Sequence, residues 1–395
     1  MMRPAGFPST DIDLWSDEVL VNPYPSYATL RELGSLVWLN NVEAFALTQY
    51  DVARAVLQDW ETFSSASGVG VAPEVNAGSG GSILTSDPPV HDRLRRVLNP
   101  QLVPRAIANH QAMITERAEA LVDTLIRAGQ FDAVEELGKP FSLGVIADLV
   151  GLPAEERECL IDRSTASFNS FGPANSLLTE SIQGLRDLLR YGRDVAVPGR
   201  LDPNGWGQQI YDAGARGDIE PAQCAALMSA YTFAGMDTTM NALAAAVHLF
   251  AENPFEWELV RNDRTLIPSA FNEVLRMHPP VQRFSRQSTC DIEIGGAVLP
   301  AGSRVVVLFG SANRDELHYA HPDRFDVTRN PVDMLSFGRG VHHCVGAGLA
   351  RSEGHAVLAA LAERVARFNL VTSSWRRNNA IHGLEHCIVR VELSS

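Results

Sequence analysis

Apolar residues recur at three- and four-residue spacing along most of the chain, and this pattern predicts a mainly helical protein. The longest such stretch is 221–252, in which Pro221 suits the first helical turn. A second stretch at 264–277 is ended by Pro279 and Pro280, because proline cannot continue a helix. The same spacing predicts further helices at 51–59, 104–128, 132–150, 176–195 and 345–369.

Short strands are predicted near both ends of the chain. Residues 36–48 have the pattern of a β-hairpin with Asn40 and Asn41 near its turn. Residues 291–298 and 304–309 are each expected to form one strand.

Long loops lie between these elements. Residues 64–82 are rich in glycine, serine and alanine, and 311–343 are rich in turn-forming residues. Loops of this length inside a compact domain are more often functional or mobile than inert. No proline- or glycine-rich linker divides the chain, so we expect residues 1–395 to form a single domain.

Charge and cysteine content exclude several classes of protein. The 395-residue chain has a formal net charge of −14 and no run of lysine or arginine, so we expect no nucleic-acid partner. Its five cysteines are scattered without a C-x-x-C pair, so they do not form a disulfide framework. No segment has the apolar core of a signal peptide or approaches the ~18 apolar residues of a membrane helix. We therefore expect a cytoplasmic protein with no membrane partner.

One cysteine lies in a distinctive segment, 337–346, which reads FGRGVHHCVG. Gly338 and Gly340 allow positive φ and close approach of the backbone to a bulky group. Cys344 is expected near a helix N-terminus, where free N–H groups and the helix dipole lower the pKa of a thiol. A zinc site needs three or four ligands, whereas a single thiolate among backbone donors suits an axial ligand of haem iron.

This segment resembles the haem-binding loop of the cytochrome P450 family. The matching positions are Phe337, Gly338, Gly340, His342, Cys344 and Gly346. The resemblance extends from about residue 22 to the end of the chain. It implies a mainly α fold, the P450 helical prism with a small β-rich region. It also implies a monooxygenase that uses O₂ and binds haem b, with Cys344 as the axial iron ligand and Phe337 as a haem contact.

The resemblance gives four further residues a role in binding haem. In DPPVHDRLRR (87–96), His91 and Arg95 are four apart on a predicted helix and match residues that hold a haem propionate. Arg286 and His342 match the family's other propionate partners. Buried carboxylates need such groups because an unpaired buried charge is costly. Without the resemblance, His91 would be interpreted as an ordinary helix residue.

The longest predicted helix is weakened at 234–239, because Gly235 is followed by two β-branched threonines. This is either a tolerated imperfection or a local opening of the helix, as often occurs at functional sites. The family places an acid–alcohol pair here, and it matches Asp237 and Thr238. The resemblance implies that these two catalytic residues deliver the protons needed to break the O–O bond of dioxygen.

Glu273 and Arg276 are three residues apart and can pair on one helix face. The pair is either a surface ion pair of little energetic worth or a structural lock. In the family such a pair joins a downstream arginine, here matching Arg324, and fixes the segment before the cysteine loop.

Within the family, the chain most resembles the bacterial group that O-demethylates para-methoxybenzoates. The matching stretches are FNSFGP (168–173), AGMDTTMNALAAAV (234–247) and LFGSANRD (308–315). In that group two phenylalanines clamp the aromatic ring, and they match Phe168 and Phe171, although such a pair is often ordinary core. The substrate-binding residues that the resemblance implies are Phe168, Phe171, Ala230, Phe233, Ala234, Val281, Phe284 and Ser82.

The sequence departs from that group at the substrate carboxylate. The group binds the carboxylate through an arginine and serines, and the arginine is missing here. The aligned positions are Gly78 and Gly81 in the loop and Ser229, Ala230 and Phe233 on the helix. Ser79 and Ser82 remain as polar candidates. A desolvated carboxylate needs strong, preferably bidentate donors, so we expect a neutral phenol- or guaiacol-type methoxyaromatic rather than a benzoate.

The cysteine loop is also where an electron donor is expected to dock. Arg339 and His343 flank the cysteine loop, where other family members dock acidic ferredoxins. We expect an iron–sulfur ferredoxin and an NAD(P)H-dependent ferredoxin reductase as partners, although Arg339 also suits simple packing on the haem edge.

One alternative function is hydroxylation of another small hydrophobic molecule, such as a terpenoid. Another is a haem-thiolate sensor or electron carrier, against which the intact Asp237–Thr238 pair argues, since neither role needs proton delivery.

Overall fold

Helices account for most of the computed structural model, which describes residues 6–77 and 80–394. Within these ranges the α-helices are, in chain order, α1 (Asp17–Val21), α2 (Tyr24–Leu33), α3 (Tyr50–Gln58), α4 (Pro73–Asn76), α5 (Val90–Leu102), α6 (Pro104–Ala108), α7 (Gln111–Ala128), α8 (Lys139–Val150), α9 (Leu160–Phe168), α10 (Ser176–Arg190), α11 (Trp206–Arg216), α12 (Pro221–Ser229), α13 (Gly235–Glu252), α14 (Pro254–Asn262), α15 (Ile267–Met277), α16 (Phe309–Ala312) and α17 (Ala347–Arg364). The predicted mainly α class is confirmed.

Several helices continue into tighter or wider helical turns. The π-helical turns are Ala133–Gly138, Tyr191–Val195 and Ala230–Ala234, and the 3₁₀ turns are Arg157–Cys159, Asn169–Phe171, Arg264–Leu266, Leu335–Phe337 and Gly340–His342. The predicted helix at 221–252 therefore exists as α12, a π-helical turn and α13. The irregularity lies at Ala230–Ala234, about one turn before the predicted site at 234–239.

The strands pair into three sheets. They are β1 (Ser9–Thr10), β2 (Leu36–Leu39), β3 (Ala44–Leu47), β4 (Phe63–Ser64), β5 (Gln130–Asp132), β6 (Arg283–Ser288), β7 (Ile292–Ile294), β8 (Ala297–Leu299), β9 (Arg304–Leu308), β10 (Val365–Trp375) and β11 (Leu384–Leu393). The sheets have the orders β1-β2-β3-β9-β6-β4, β10-β11-β5 and β7-β8. The predicted hairpin at 36–48 is β2–β3, in which Trp38 pairs with Phe45 across the strands.

Three predicted boundaries are wrong. Residues 291–298 form parts of two strands, because Gly295 and Gly296 adopt positive φ and turn the chain between β7 and β8. The helix predicted at 345–369 ends at Arg364, and β10 follows; the three-residue spacing of Val365 and Phe368 also fits a helix, which misled the prediction. The helix predicted at 104–128 is divided into α6 and α7.

Helix α13 lies at the centre of the main core, and nearly all its side chains are buried. Helices α7, α8, α15 and α17 pack around it or beside it, and a smaller core covers the six-stranded sheet. Among the helices in the described ranges, none combines the length and apolar character that a bilayer crossing requires.

A buried ion pair fixes the segment that leads to the cysteine loop. Glu273 and Arg276 on α15 are fully buried and share two hydrogen bonds of 2.7 and 2.8 Å, so the surface interpretation is wrong. The predicted third member, Arg324, takes part only through its carbonyl oxygen, which accepts from Arg276. The side chain that completes the group is that of Arg329, whose Nε donates to Glu273 at 3.1 Å. Arg276 also donates to the carbonyl of Pro322, so one guanidinium fastens several turns of this segment.

Candidate active site

The loop before α17 presents Cys344 on a tightly closed backbone. The Cys344 N–H donates to the carbonyl of Phe337 at 2.8 Å, which closes the loop. Gly338 and Gly340 have φ of +65° and +68°, as the sequence predicts. A Cβ on Gly340 would collide with the carbonyl of Leu57, so only glycine lets the loop approach the end of α3 this closely.

The predicted lowering of the Cys344 pKa is wrong. Burial raises the pKa of this thiol above its ordinary value, although the N–H groups of Gly346 and Ala347 and the charges of Arg95 and Arg351 act in the opposite direction. The desolvation of a thiolate outweighs the helix N-terminus here. Cys344 is nevertheless an exposed residue, so a bound group can approach it.

Four basic or imidazole side chains converge beside the cysteine loop. The His91 and His342 rings are 4.6 Å apart, and both Nε2 atoms are buried with no hydrogen-bond partner among the residues that the structure describes. Burial and the fields of Arg286, His91 and Arg95 lower the pKa of His342 to about 3. Burial likewise lowers the pKa of Arg286 to about 10, against the opposing field of Asp87. A negatively charged group among these side chains would be stabilised by all four.

Asp237 is fully buried at the start of α13. Its Oδ1 accepts a 2.5 Å hydrogen bond from the Thr165 hydroxyl on α9, whereas its Oδ2 has no partner in the described part of the chain. Burial raises its pKa to about 6, against the hydrogen bond from Thr165 and the field of Arg376. The neighbouring Thr238 hydroxyl donates to the carbonyl of Ala234 at 2.7 Å. A carboxyl group with such a pKa can both take up and release a proton near neutral pH.

An apolar group lies next to this helix, and we call it the aromatic cluster. Its members are Phe168, Phe171, Phe233, Val281, Phe284, Ala380 and Ile381. The Phe168 and Phe233 rings stack at 4.2 Å, and Phe171 meets Phe284 edge-on at 5.2 Å. None of these seven side chains carries a charge or a hydrogen-bonding group. The cluster can therefore hold a flat apolar molecule by stacking but offers nothing to a carboxylate.

Comparison with known proteins gives consistent matches. A model of the family described as Cytochrome P450 matches residues 213–376. Cytochrome p450 CYP199A2 of Rhodopseudomonas palustris is 38% identical over 386 residues, covering 96% of this chain and 94% of that protein. Beta-dihydromenaquinone-9 omega-hydroxylase of Mycobacterium tuberculosis is 30% identical, covering 97% of this chain and 78% of that protein. The crystal structure of CYP109E1 from Bacillus megaterium in complex with testosterone has a TM-score of 0.85 at 26% identity, covering 95% of this chain and 99% of that chain.

The chain belongs to the cytochrome P450 family. P450 proteins are monooxygenases that use haem b, so the predicted fold, enzyme class and cofactor are confirmed.

The residues present fit haem b. Among the described residues, the buried Nε2 atoms of His91 and His342 have no hydrogen-bond partner, although Asp87 Oδ1 lies 3.9 Å from the Nε2 of His342. Arg95 and Arg286 lie close enough to influence the same site. This donor set matches the needs of two buried carboxylates such as the haem propionates. Cys344 is an exposed residue whose thiol has backbone N–H groups as neighbours, as a thiolate ligand requires. Phe337 lies in the same loop, with its ring 4.5 Å below the guanidinium of Arg351.

The remaining substrate-pocket predictions fall in different places. Ala234 is exposed beside the buried Asp237 and Thr239, so this face of the P450 long helix borders open space. Ala230 packs against the main core rather than the aromatic cluster. Ser82 forms a 2.8 Å hydrogen bond with Thr85 in its own loop. Gly78 and Ser79 lie outside the described residues.

Sequence reasoning missed residues around this P450 site that come from the C-terminal part of the chain. Ala380 and Ile381 complete the aromatic cluster, and Arg376 lies 3.5 Å from the Thr165 hydroxyl. They lie in a loop between β10 and β11 with no catalytic motif. The Asn378–Asn379 pair is a turn signal, but it does not indicate that the loop returns to the pocket.

Proposed function

We propose that this P450 removes the methyl group from small neutral methoxylated aromatics of the phenol or guaiacol type. The observation that carries the proposal is the aromatic cluster, with the Phe168–Phe233 stack at 4.2 Å and no charged member. Stacked and edge-on rings favour a planar aromatic ligand over a flexible chain. The lack of an arginine at the aligned carboxylate positions favours a neutral ring over a benzoate.

Cys344 is proposed to hold the haem iron, and the haem, when bound, would supply the activation of O₂ and the insertion of one oxygen atom into a methyl C–H bond. The other oxygen atom would be reduced to water by two electrons and two protons. The inserted oxygen converts the aryl methyl ether into a hemiacetal, which collapses to a phenol and formaldehyde. His91, Arg95, Arg286 and His342 are proposed to hold the propionates.

Asp237 and Thr238 are the proposed proton donors. Asp237 takes up protons through a carboxyl group whose pKa is raised to about 6 by burial, so a substantial fraction of it is protonated near that pH. Thr165 holds one carboxyl oxygen at 2.5 Å and leaves the other free to pass a proton on. The Thr238 hydroxyl donates its hydrogen bond to the Ala234 carbonyl, so its oxygen can accept a hydrogen bond from the next group along the proposed path.

The electrons are proposed to come from an iron–sulfur ferredoxin that an NAD(P)H-dependent reductase reduces. Arg339 and His343 lie in the cysteine loop, and the fields of Arg339 and Arg351 both reach His343. This makes the loop locally basic in a chain of net charge −14. A local basic patch suits an acidic partner.

Optical titration of the haem-loaded protein tests the substrate class. We expect 4-methoxyphenol or guaiacol to bind and shift the Soret band, and 4-methoxybenzoate to bind at least about tenfold more weakly because its carboxylate has no strong donor. The matched control is 4-methylanisole, which has no hydroxyl or carboxylate. Tight binding and a full spin shift with 4-methoxybenzoate would contradict the proposed preference for a neutral methoxyaromatic.

A further inference from the structure

Asn379 lies between two sides of the aromatic cluster. One side is formed by Phe168, which precedes the 3₁₀ turn Asn169–Phe171, and by Phe171, which ends it. The other side is formed by Ala380 and Ile381, which directly follow Asn379. Asn379 is fully buried, although its own side chain is not part of the cluster.

Every hydrogen-bonding group of Asn379 is used. Its backbone N–H donates to Asn169 Oδ1 at 2.8 Å, and its Nδ2 donates to the Asn169 carbonyl at 2.9 Å. Its side chain exchanges two bonds of 2.8 and 3.0 Å with Asn175, which caps the N-terminus of α10. Its carbonyl accepts from Trp15 Nε1 at 3.1 Å. One residue therefore joins four separate segments, including both sides of the cluster.

This contact explains why residue 172, in the stretch FNSFGP, is a glycine. A Cβ on Gly172 would collide with the Cβ and amide of Asn379, so the chain after Phe171 packs directly on the asparagine. The opposite side is also fixed, because Gln282 N–H donates to the Ala380 carbonyl at 2.8 Å and Val281 bridges to Ile381.

Apolar side chains attract one another without directional preference, so they do not by themselves set the distance between two walls. Hydrogen bonds do, because they weaken steeply with distance and angle. We propose that Asn379 is a positioning residue that sets the separation of the two sides of the aromatic cluster and so limits the size of the ring substituent that fits. This inference rests on the proposed function, in which the cluster binds the substrate.

The test uses haem-binding azoles of increasing size, which report the room above the haem whatever the natural substrate is. Imidazole, 4-phenylimidazole and 4-(biphenyl-4-yl)imidazole are titrated into wild type, Asn379→Ala and Asn379→Asp, and the Soret shift gives each affinity. The readout is the ratio of the affinities for the phenyl and biphenyl compounds. We expect this ratio to fall by about tenfold in Asn379→Ala, the equivalent of one or two lost neutral hydrogen bonds. Asn379→Asp should lower it too, because its carboxylate would face the Asn169 carbonyl.

The matched control is Val122→Ala, which removes buried volume from α7, away from the aromatic cluster. It should lose stability and keep the wild-type ratio. A wild-type ratio in Asn379→Ala would overturn the inference. If that variant does not retain haem, Asn175→Ala, which removes two of the bonds, replaces it, and an unchanged ratio there has the same meaning.

A parallel titration with 4-methoxyphenol separates this inference from the proposed function. If wild type discriminates among the azoles and Asn379→Ala does not, Asn379 has the positioning role even when 4-methoxyphenol fails to bind. In that case only the proposed substrate is wrong.

Discussion

The Asp237 carboxyl group is fully buried, with one strong hydrogen bond to Oδ1 and no partner for Oδ2 in the described part of the chain, which is an unusual state for an acid in a protein core. Arg376 and Asp162 are the charged groups whose fields act on it, and they act in opposite directions. Burial is the largest influence, so the fold favours the protonated form. The same property that suits this residue to the proposed proton transfer makes its ionised form costly.

Replacement of Asp237 by asparagine should therefore raise stability while it lowers activity. The folded chain holds the Asp237 proton up to about pH 6, whereas an ordinary aspartate releases it near pH 3.8. The free energy of unfolding consequently falls as the pH rises from 3.8 to 6, by roughly 3 kcal/mol in all. We expect Asp237→Asn to unfold at a higher temperature than wild type at pH 7, with the difference disappearing near pH 4.

Thermal unfolding of the two proteins across this pH range checks the stability difference. Turnover of the same variant should fall by about a hundredfold or more, because the proposed proton donor is lost. A variant that is less stable than wild type at pH 7, or as active, would contradict this account of Asp237.

At the scale of elements, two separate contacts position the cysteine loop. The backbone of Gly340 lies directly against the end of α3, and the Glu273–Arg276–Arg329 group fixes the segment before the loop to α15. Both contacts lie outside the loop's own hydrogen bonds. The loop is therefore held by neighbouring elements as well as by its own backbone.

Gly340→Ala should displace the loop and weaken haem retention. The new Cβ would meet the Leu57 carbonyl and the residue would also be held at φ of +68°. Gly296→Ala is a matched control, because it has φ of +81° but nothing near its Cβ. Haem content after purification and gel filtration distinguishes the two; equal haem loss in both would show that strain in φ, and not the contact with α3, is responsible.

Arg276→Ala should be strongly destabilising. It leaves the fully buried Glu273 with one charged partner, and breaking a buried pair typically costs about 3–5 kcal/mol. Arg193→Ala, which breaks an exposed pair with Asp194, serves as control and should change little. Denaturant unfolding measures both. If the free energy of unfolding falls no more in Arg276→Ala than in the control, the structural role of the pair is contradicted.

At the scale of the whole molecule, the sequence predicted the helical class, the long central helix and the order of the site motifs, because spacing and local motifs encode them. It did not predict the contributions of Asn379, Ala380 and Ile381, because these depend on a long-range return of the chain. The third member of the buried group was placed at Arg324 instead of Arg329, since two arginines close in sequence are distinguished only by the direction of their side chains. The raised Cys344 pKa was missed because desolvation of the thiol by the surrounding chain cannot be deduced from a motif.

The net charge of −14 sets a condition on the electron donor. The proposed acidic ferredoxin would be repelled by the molecule as a whole and attracted by the local charge around Arg339. Arg339→Glu should lower the second-order rate of reduction by about tenfold at low salt, with a smaller effect at high salt as the charges are screened. Arg193→Glu makes the same change of charge in the exposed pair with Asp194 and should have little effect. Stopped-flow reduction measures both rates, and equal effects would place the docking site elsewhere.

The most direct test of the central claim is formaldehyde release by the haem-loaded protein with a ferredoxin, a reductase and NADH. The account predicts formaldehyde and the corresponding phenol in equal amounts from 4-methoxyphenol or guaiacol, in proportion to the NADH consumed. It predicts much less from 4-methoxybenzoate. Formaldehyde from the benzoate alone, or none from any methoxylated aromatic while a terpenoid is hydroxylated, would contradict it.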